Sequence, residues 1–166
     1  MKLVHRVVGI SLIVLLSNCS SGAGESAYEK LLHKSDSLKK RNTNLMAAYD
    51  SISKAHKRVA DQVGALDSLD TAWLETLAKH EVILKNHVVL LEKNQKLFDV
   101  HENFKAKRDQ VTKEEFQSQI SEMKQDHSEI RTELDQLEAE QETLNDQHKS
   151  IREKISKKTL EKIDNQ

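Results

Sequence analysis

The sequence predicts an all-α protein, an antiparallel up-down-up three-helix coiled-coil bundle. Three observations lead there. The chain has no proline and four glycines, with 32% charged and 4% aromatic residues, a composition foreign to ordinary α/β or β domains. Apolar residues recur at heptad spacing from residue 28 to residue 151. Start and stop signals then divide that repeat into helices over about 26–63, 70–105 and 113–160. The net charge of -1 mixes both signs along the chain, with no basic stripe for nucleic acid, which is therefore excluded as a partner.

Residues 1–18 differ from the rest. Lys2 and Arg6 give a positive start, and Val7 to Leu16 give ten nearly continuous apolar residues. This is the pattern of a secretory signal peptide, too short for a permanent transmembrane helix of about 20 residues. The run leads into Leu16-Ser17-Asn18-Cys19, which resembles the lipobox of type II signal peptides of bacterial lipoproteins. Asn18 stands where Gly or Ala is usual. Cys19 is the only cysteine, so no internal disulfide can form. It lies where the apolar run stops and is followed by a small polar stretch, which reads as a flexible tether over 19–25. The alternative is an ordinary signal peptide with an unpaired cysteine near the mature end.

The resemblance implies cleavage before Cys19, a diacylglyceryl group and an N-acyl (palmitate-type) chain on it, and firm anchoring, because stable anchoring needs more than one chain. Ser20 after the cysteine, by the family's sorting rule in one Gram-negative group, favours the outer membrane over the inner. The mature part is similar to small coiled-coil and helical-bundle envelope lipoproteins.

Within the mature body Gly64 is the only glycine. Ser26 to Glu29 and Thr112 to Glu115 fit the Ser/Thr-x-x-Glu capping box, with Val111 and Phe116 as a hydrophobic staple at the second. Gly64 suits a C-cap of the first helix, with Asp67 or Asp70 as the next N-cap.

Heptads test the count of three. With Tyr28 at position a, the first helix carries Leu31, Leu38, Leu45, Ile52 and Val59 at d, and Ser35, Asn42, Tyr49 and His56 at a. In the second helix the rows exchange: Leu77, Leu84, Leu91 and Phe98 hold a, while His80, His87, Asn94 and His101 hold d. The third returns to an apolar d row from Phe116 to Ile151, with Ile120, His127, Leu134, Gln141 and His148 at a. In an antiparallel coiled coil the a layer of one helix faces the d layer of the next, so the exchange is what an up-down-up bundle requires. Folding about residue 68 sets Leu77 beside Val59, Leu84 beside Ile52, Leu91 beside Leu45, Phe98 beside Leu38, and His80 beside His56. Folding between 110 and 111 sets Leu144, Leu137, Ile130 and Met123 against Leu77, Leu84, Leu91 and Phe98, with His80 beside Gln141 and Asn94 beside His127. The rival is one unbroken helix over 26–105, forming a long helical hairpin with the third or an oligomeric coiled coil.

Six of the seven histidines beyond Cys19 (His56, His80, His87, His101, His127 and His148) fall on core positions. One reading is a set of polar layers, with Asn42 and Asn94, that fix register as buried asparagine does. Buried neutral histidines would also make the bundle loosen on acidification. A sharper reading is a metal site around His56 and His80, with His87, His127 or Gln141 nearby. Core histidines seven apart lie about 10 Å apart along the axis, so only residues of different helices can share one ion.

No phosphate-binding loop, nucleophile motif or HExxH is present, and no catalytic residue or cofactor beyond the covalent lipid is expected. Two functions fit: a membrane-anchored structural or adaptor module facing an envelope protein or the cell wall, self-association included, or a periplasmic metal- or pH-responsive binding protein built on the histidine layers.

Overall fold

The computed structural model describes residues 20–66 and 70–164. The expected signal peptide, the lipidation residue Cys19 and the alternative N-cap Asp67 lie outside them. Among the described residues the chain is all-α, with helix α1 over Ser20–Gly64, α2 over Thr71–Lys107 and α3 over Lys113–Asp164. A single 3₁₀ turn, Arg108–Gln110, joins the last two. At about 1.5 Å per residue these helices are roughly 65, 55 and 80 Å long.

The helix ends follow side-chain chemistry. Asp70 caps α2, its carboxylate accepting from the backbone N–H groups of Ala72 at 3.1 Å and Trp73 at 3.4 Å. The capping box at α3 is closed in both directions: Glu115 accepts from the Thr112 N–H at 2.7 Å, and the Glu115 N–H donates to Thr112 Oγ1 at 3.2 Å. These bonds satisfy donors that a helix start otherwise leaves unpaired. Gly64 is the last residue of α1 but does not adopt the left-handed backbone of a glycine C-cap. The chain leaves α1 instead through bonds from the Ala65 N–H to the Asp61 carbonyl and from the Leu66 N–H to the Val63 carbonyl.

The start of α1 is a correction. Ser26 and Glu29 lie inside α1, which is already helical at Ser20, the first described residue, so residues 20–25 of the stretch expected as a tether are helical. Tertiary contact overrides the local cue. Glu25 forms an ion pair with Arg108, whose guanidinium also lies 5.5 Å from the ring centroids of Tyr28 and Phe116. The first turns of α1 are thereby fastened to the end of α2 and the start of α3.

The three helices close around four apolar clusters, taken here from the end that holds Ser20. Tyr28, Leu31, Ile120 and Met123 form the first, with Phe104 and Phe116 packed against it. Leu38, Leu45, Leu91, Phe98, Ile130, Leu134 and Leu137 form the largest. Ile52, Leu84 and Leu144 follow, and Val59, Val63, Trp73, Leu77, Ile151 and Ile155 fill the far end. Each fully buried Leu, Ile or Phe stabilises the fold by about 1.5–3 kcal/mol relative to leaving it in water.

Helices α1 and α2 run antiparallel and share clusters as the heptads predict, Val59 with Leu77, Ile52 with Leu84, Leu45 with Leu91 and Leu38 with Phe98. The unbroken 26–105 helix is therefore not formed. The register of α3 is one heptad away from expectation. Leu144 shares a cluster with Leu84 and Ile151 with Leu77, whereas the sequence register set Leu144 against Leu77. A heptad shift leaves apolar rows facing apolar rows, so row matching cannot choose between the two. The end residues choose: the observed register gives Trp73 an apolar neighbour in Ile155, where the expected one would have set it against His148.

Candidate functional site

The d row of α2 is polar, and it is buried: His80, His87, Asn94 and His101 are all 2% exposed or less. A buried imidazole needs partners for its N–H, and α3 supplies them at the same seven-residue spacing. His80 Nε2 bonds to Gln147 Oε1, His87 Nε2 lies 2.7 Å from Glu140 Oε2, and His101 Nε2 lies 3.0 Å from Asp126 Oδ2. The acceptors have no proton to give, so each ring uses its Nε2–H here and, when neutral, keeps Nδ1 as a bare lone pair. The result is a ladder of three histidines held in one tautomer by an adjacent helix.

At His87 and His101 the Nδ1 atom has no hydrogen-bond partner. At His80 it does. His80 Nδ1 lies 3.1 Å from His148 Nε2, and His56 Nδ1 lies 3.1 Å from that same atom. One nitrogen from each of the three rings falls within a span of 4.8 Å. Helix α1 supplies His56, α2 His80 and α3 His148, and His56 alone of the three is partly open to solvent.

Burial keeps these rings neutral. It lowers the pKa of His56, aided by His80 and opposed by Glu81, and lowers that of His80 against the bond to Gln147. His148 is brought down to about 4, by burial first and then by His80, His56 and Arg152.

The other expected candidates lie elsewhere. His87 belongs to the pair with Glu140, which borders an open groove of about 490 Å³ between α2 and α3 that His80 and Gln147 also line. Gln141 donates from Nε2 to the Leu45 carbonyl at 3.0 Å, as Asn42 does from Nδ2 to the Leu91 carbonyl at 3.1 Å. His127 meets His101 edge-on, ring centroids 5.1 Å apart, and neither of its nitrogens has a partner. Its pKa is held at about 4 by burial first, then by His101 and Lys34, with Asp126 opposing. Both side-chain polar atoms of Asn94 are buried without partners.

The heptad rows predict the His56–His80 layer, whereas His148, which the expected register places one heptad away, and Gln147 join it only in the observed register of α3. The missed signal was Trp73: demanding an apolar neighbour for it on α3 selects Ile155 and brings His148 to His80.

Comparison with protein-family models, with curated proteins and with solved structures found no match.

Proposed function

We propose that the chain is a lipid-anchored, non-catalytic spacer and adaptor of the cell envelope, which holds an interaction surface at a fixed distance from a membrane. The observation that carries this reading is that the chain is already helical at Ser20, the first described residue, which follows the lipobox cysteine in sequence. With lipid on Cys19, no loose tether would separate the membrane from the bundle, and α1 would run about 65 Å from it without interruption. None of the described helices is long and apolar enough to cross a membrane, which suits attachment by covalent lipid. An outer-membrane location follows from Ser20 under the sorting rule noted above.

The far end offers what an adaptor needs. Trp73 and Leu66 close the apolar cluster there, and Lys158 lies over the Trp73 ring at 4.7 Å with Asp70 3.8 Å away. This end, or the exposed Val82, Val89 and Val100 along α2, would meet an envelope protein or the cell wall.

Chemical crosslinking in intact cells, followed by capture of the full chain and of a Cys19→Ala variant, tests the reading. One recurrent envelope partner, enriched only with the lipidated form, is the expected result. Fractionation of the wild-type chain away from membranes, or an equal partner set for both forms, would overturn it.

A further inference from the structure

Three imidazole nitrogens that converge on one another pose a problem in proton placement. His80 commits its Nε2–H to Gln147, so its Nδ1 enters the cluster as a lone pair. If His148 Nε2 carries a proton toward it, His56 Nδ1 must also present a lone pair, since two N–H groups cannot face each other at 3.1 Å. If His148 Nε2 is bare, two lone pairs face each other instead. Neutral histidines therefore supply at most one proton where three nitrogens meet. A cation accepts all three lone pairs at once.

We propose that His56, His80 and His148 form a binding site for one first-row d-block cation, of which Zn²⁺ is the probe. The distances suit it. Zn–N bonds of about 2.0–2.1 Å at tetrahedral angles put ligand nitrogens about 3.3 Å apart. Two of the three separations are already 3.1 Å and none exceeds 4.8 Å, so small ring movements complete the fit. The donor set is all imidazole, which suits Zn²⁺, Cu²⁺, Ni²⁺ and Co²⁺ and not the oxygen-seeking Mg²⁺ or Ca²⁺. Three protein ligands leave the fourth position to water or a small exogenous donor, and partly exposed His56 is the side from which it can enter.

Gln147 acts as a positioning residue. Histidine ligands are oriented by a hydrogen bond to the ring nitrogen that does not bind metal, and the Gln147 contact gives His80 that orientation before any metal arrives. Because one ligand comes from each helix, the bound cation would also tie α1, α2 and α3 together. The site lies in the bundle interior and does not depend on the lipid anchor, so it stands or falls separately from the spacer reading.

The test uses the full chain in detergent micelles carrying Cys19→Ala, which removes the only thiol. Calorimetric titration with ZnCl₂ should give one ion per chain, CoCl₂ should give the intense visible absorption of a tetrahedral nitrogen site, and Zn²⁺ should raise the Tm. His56→Gln, at the partly exposed position where folding is least at risk, and His148→Leu should each abolish all three signals while keeping the helical circular dichroism. His127→Leu, in a different layer, should keep them. Gln147→Leu should weaken affinity by about 10–100-fold with stoichiometry unchanged. Absence of stoichiometric Zn²⁺ binding to the parent chain would overturn the site. So would binding that survives His56→Gln together with His148→Leu, or that is lost equally in His127→Leu.

Discussion

The guanidinium of Arg108 lies 5.5 Å from the ring centroid of Tyr28 and at the same time forms an ion pair with Glu25. Residues from the end of α2 and the start of α1 are thus joined at the end of the bundle that the lipid is proposed to hold. Arg108→Ala should cost about 1 kcal/mol, the sum of a partly exposed ion pair and a cation–π contact. The loss should be local. Amide hydrogen exchange at residues 25–31 should accelerate far more than at 45–55, and uniform acceleration along α1 would refute the local account.

The bundle should weaken on acidification. His127 is completely buried, and burial brings its pKa down to about 4 from the 6.5 of a free imidazole. Between those values the unfolded chain binds more protons than the folded one, so stability is full above about pH 6.5 and falls as pH drops toward 4. His127 alone can account for up to about 3 kcal/mol of that fall. Urea midpoints at pH 7.5 and 5.5 should therefore differ in the parent chain and differ less in His127→Leu. Equal midpoints at the two pH values in the parent would dispose of this account.

Asp70 and Gly64 make opposite predictions at the same loop. Asp70→Ala removes the acceptor for two N–H groups and should cost about 1 kcal/mol, mostly restored by Asn at that position. Gly64→Ala places a Cβ that meets nothing within 4 Å, on a backbone outside the left-handed region. It should stabilise by roughly 0.4–1 kcal/mol by restricting the unfolded chain. Thermal unfolding of the two variants reads both signs.

Asn94 holds two buried polar atoms without partners, each of which costs free energy on leaving water. Asn94→Leu should raise stability by about 1 kcal/mol or more, as replacing buried polar groups often does. If the asparagine also sets register, the same variant should populate an α3 alignment shifted by seven residues. Disulfide trapping with cysteines introduced at positions 84 and 144 would show that as a loss of crosslinking efficiency. A drop in stability for Asn94→Leu would count against the absence of partners.

The alternation of rows was enough to fix three helices and the α1–α2 pairing, because Gly64 and Asp70 pin that fold to a short loop. It could not fix α3. Every layer of a heptad resembles the layer seven residues on, and His80 found a polar neighbour in either register, Gln141 or His148. Only Trp73, whose bulk occurs once, breaks the degeneracy. The three-histidine layer was half legible for that reason. The helix over 20–25 was hidden for another: Ser26 and Glu29 form a good local cue, and the Arg108 contacts that outweigh it come from about 80 residues away in sequence.

Thirty-six residues of continuous helix separate Ser20 from His56, a climb of about 54 Å at 1.5 Å per residue. The field of anionic headgroups decays over a Debye length of about 8 Å at physiological ionic strength. In the membrane-standing arrangement the histidine layer would lie more than six such lengths out. It would sample the ions and acidity of the open compartment, unaffected by the lipid to which the molecule is moored.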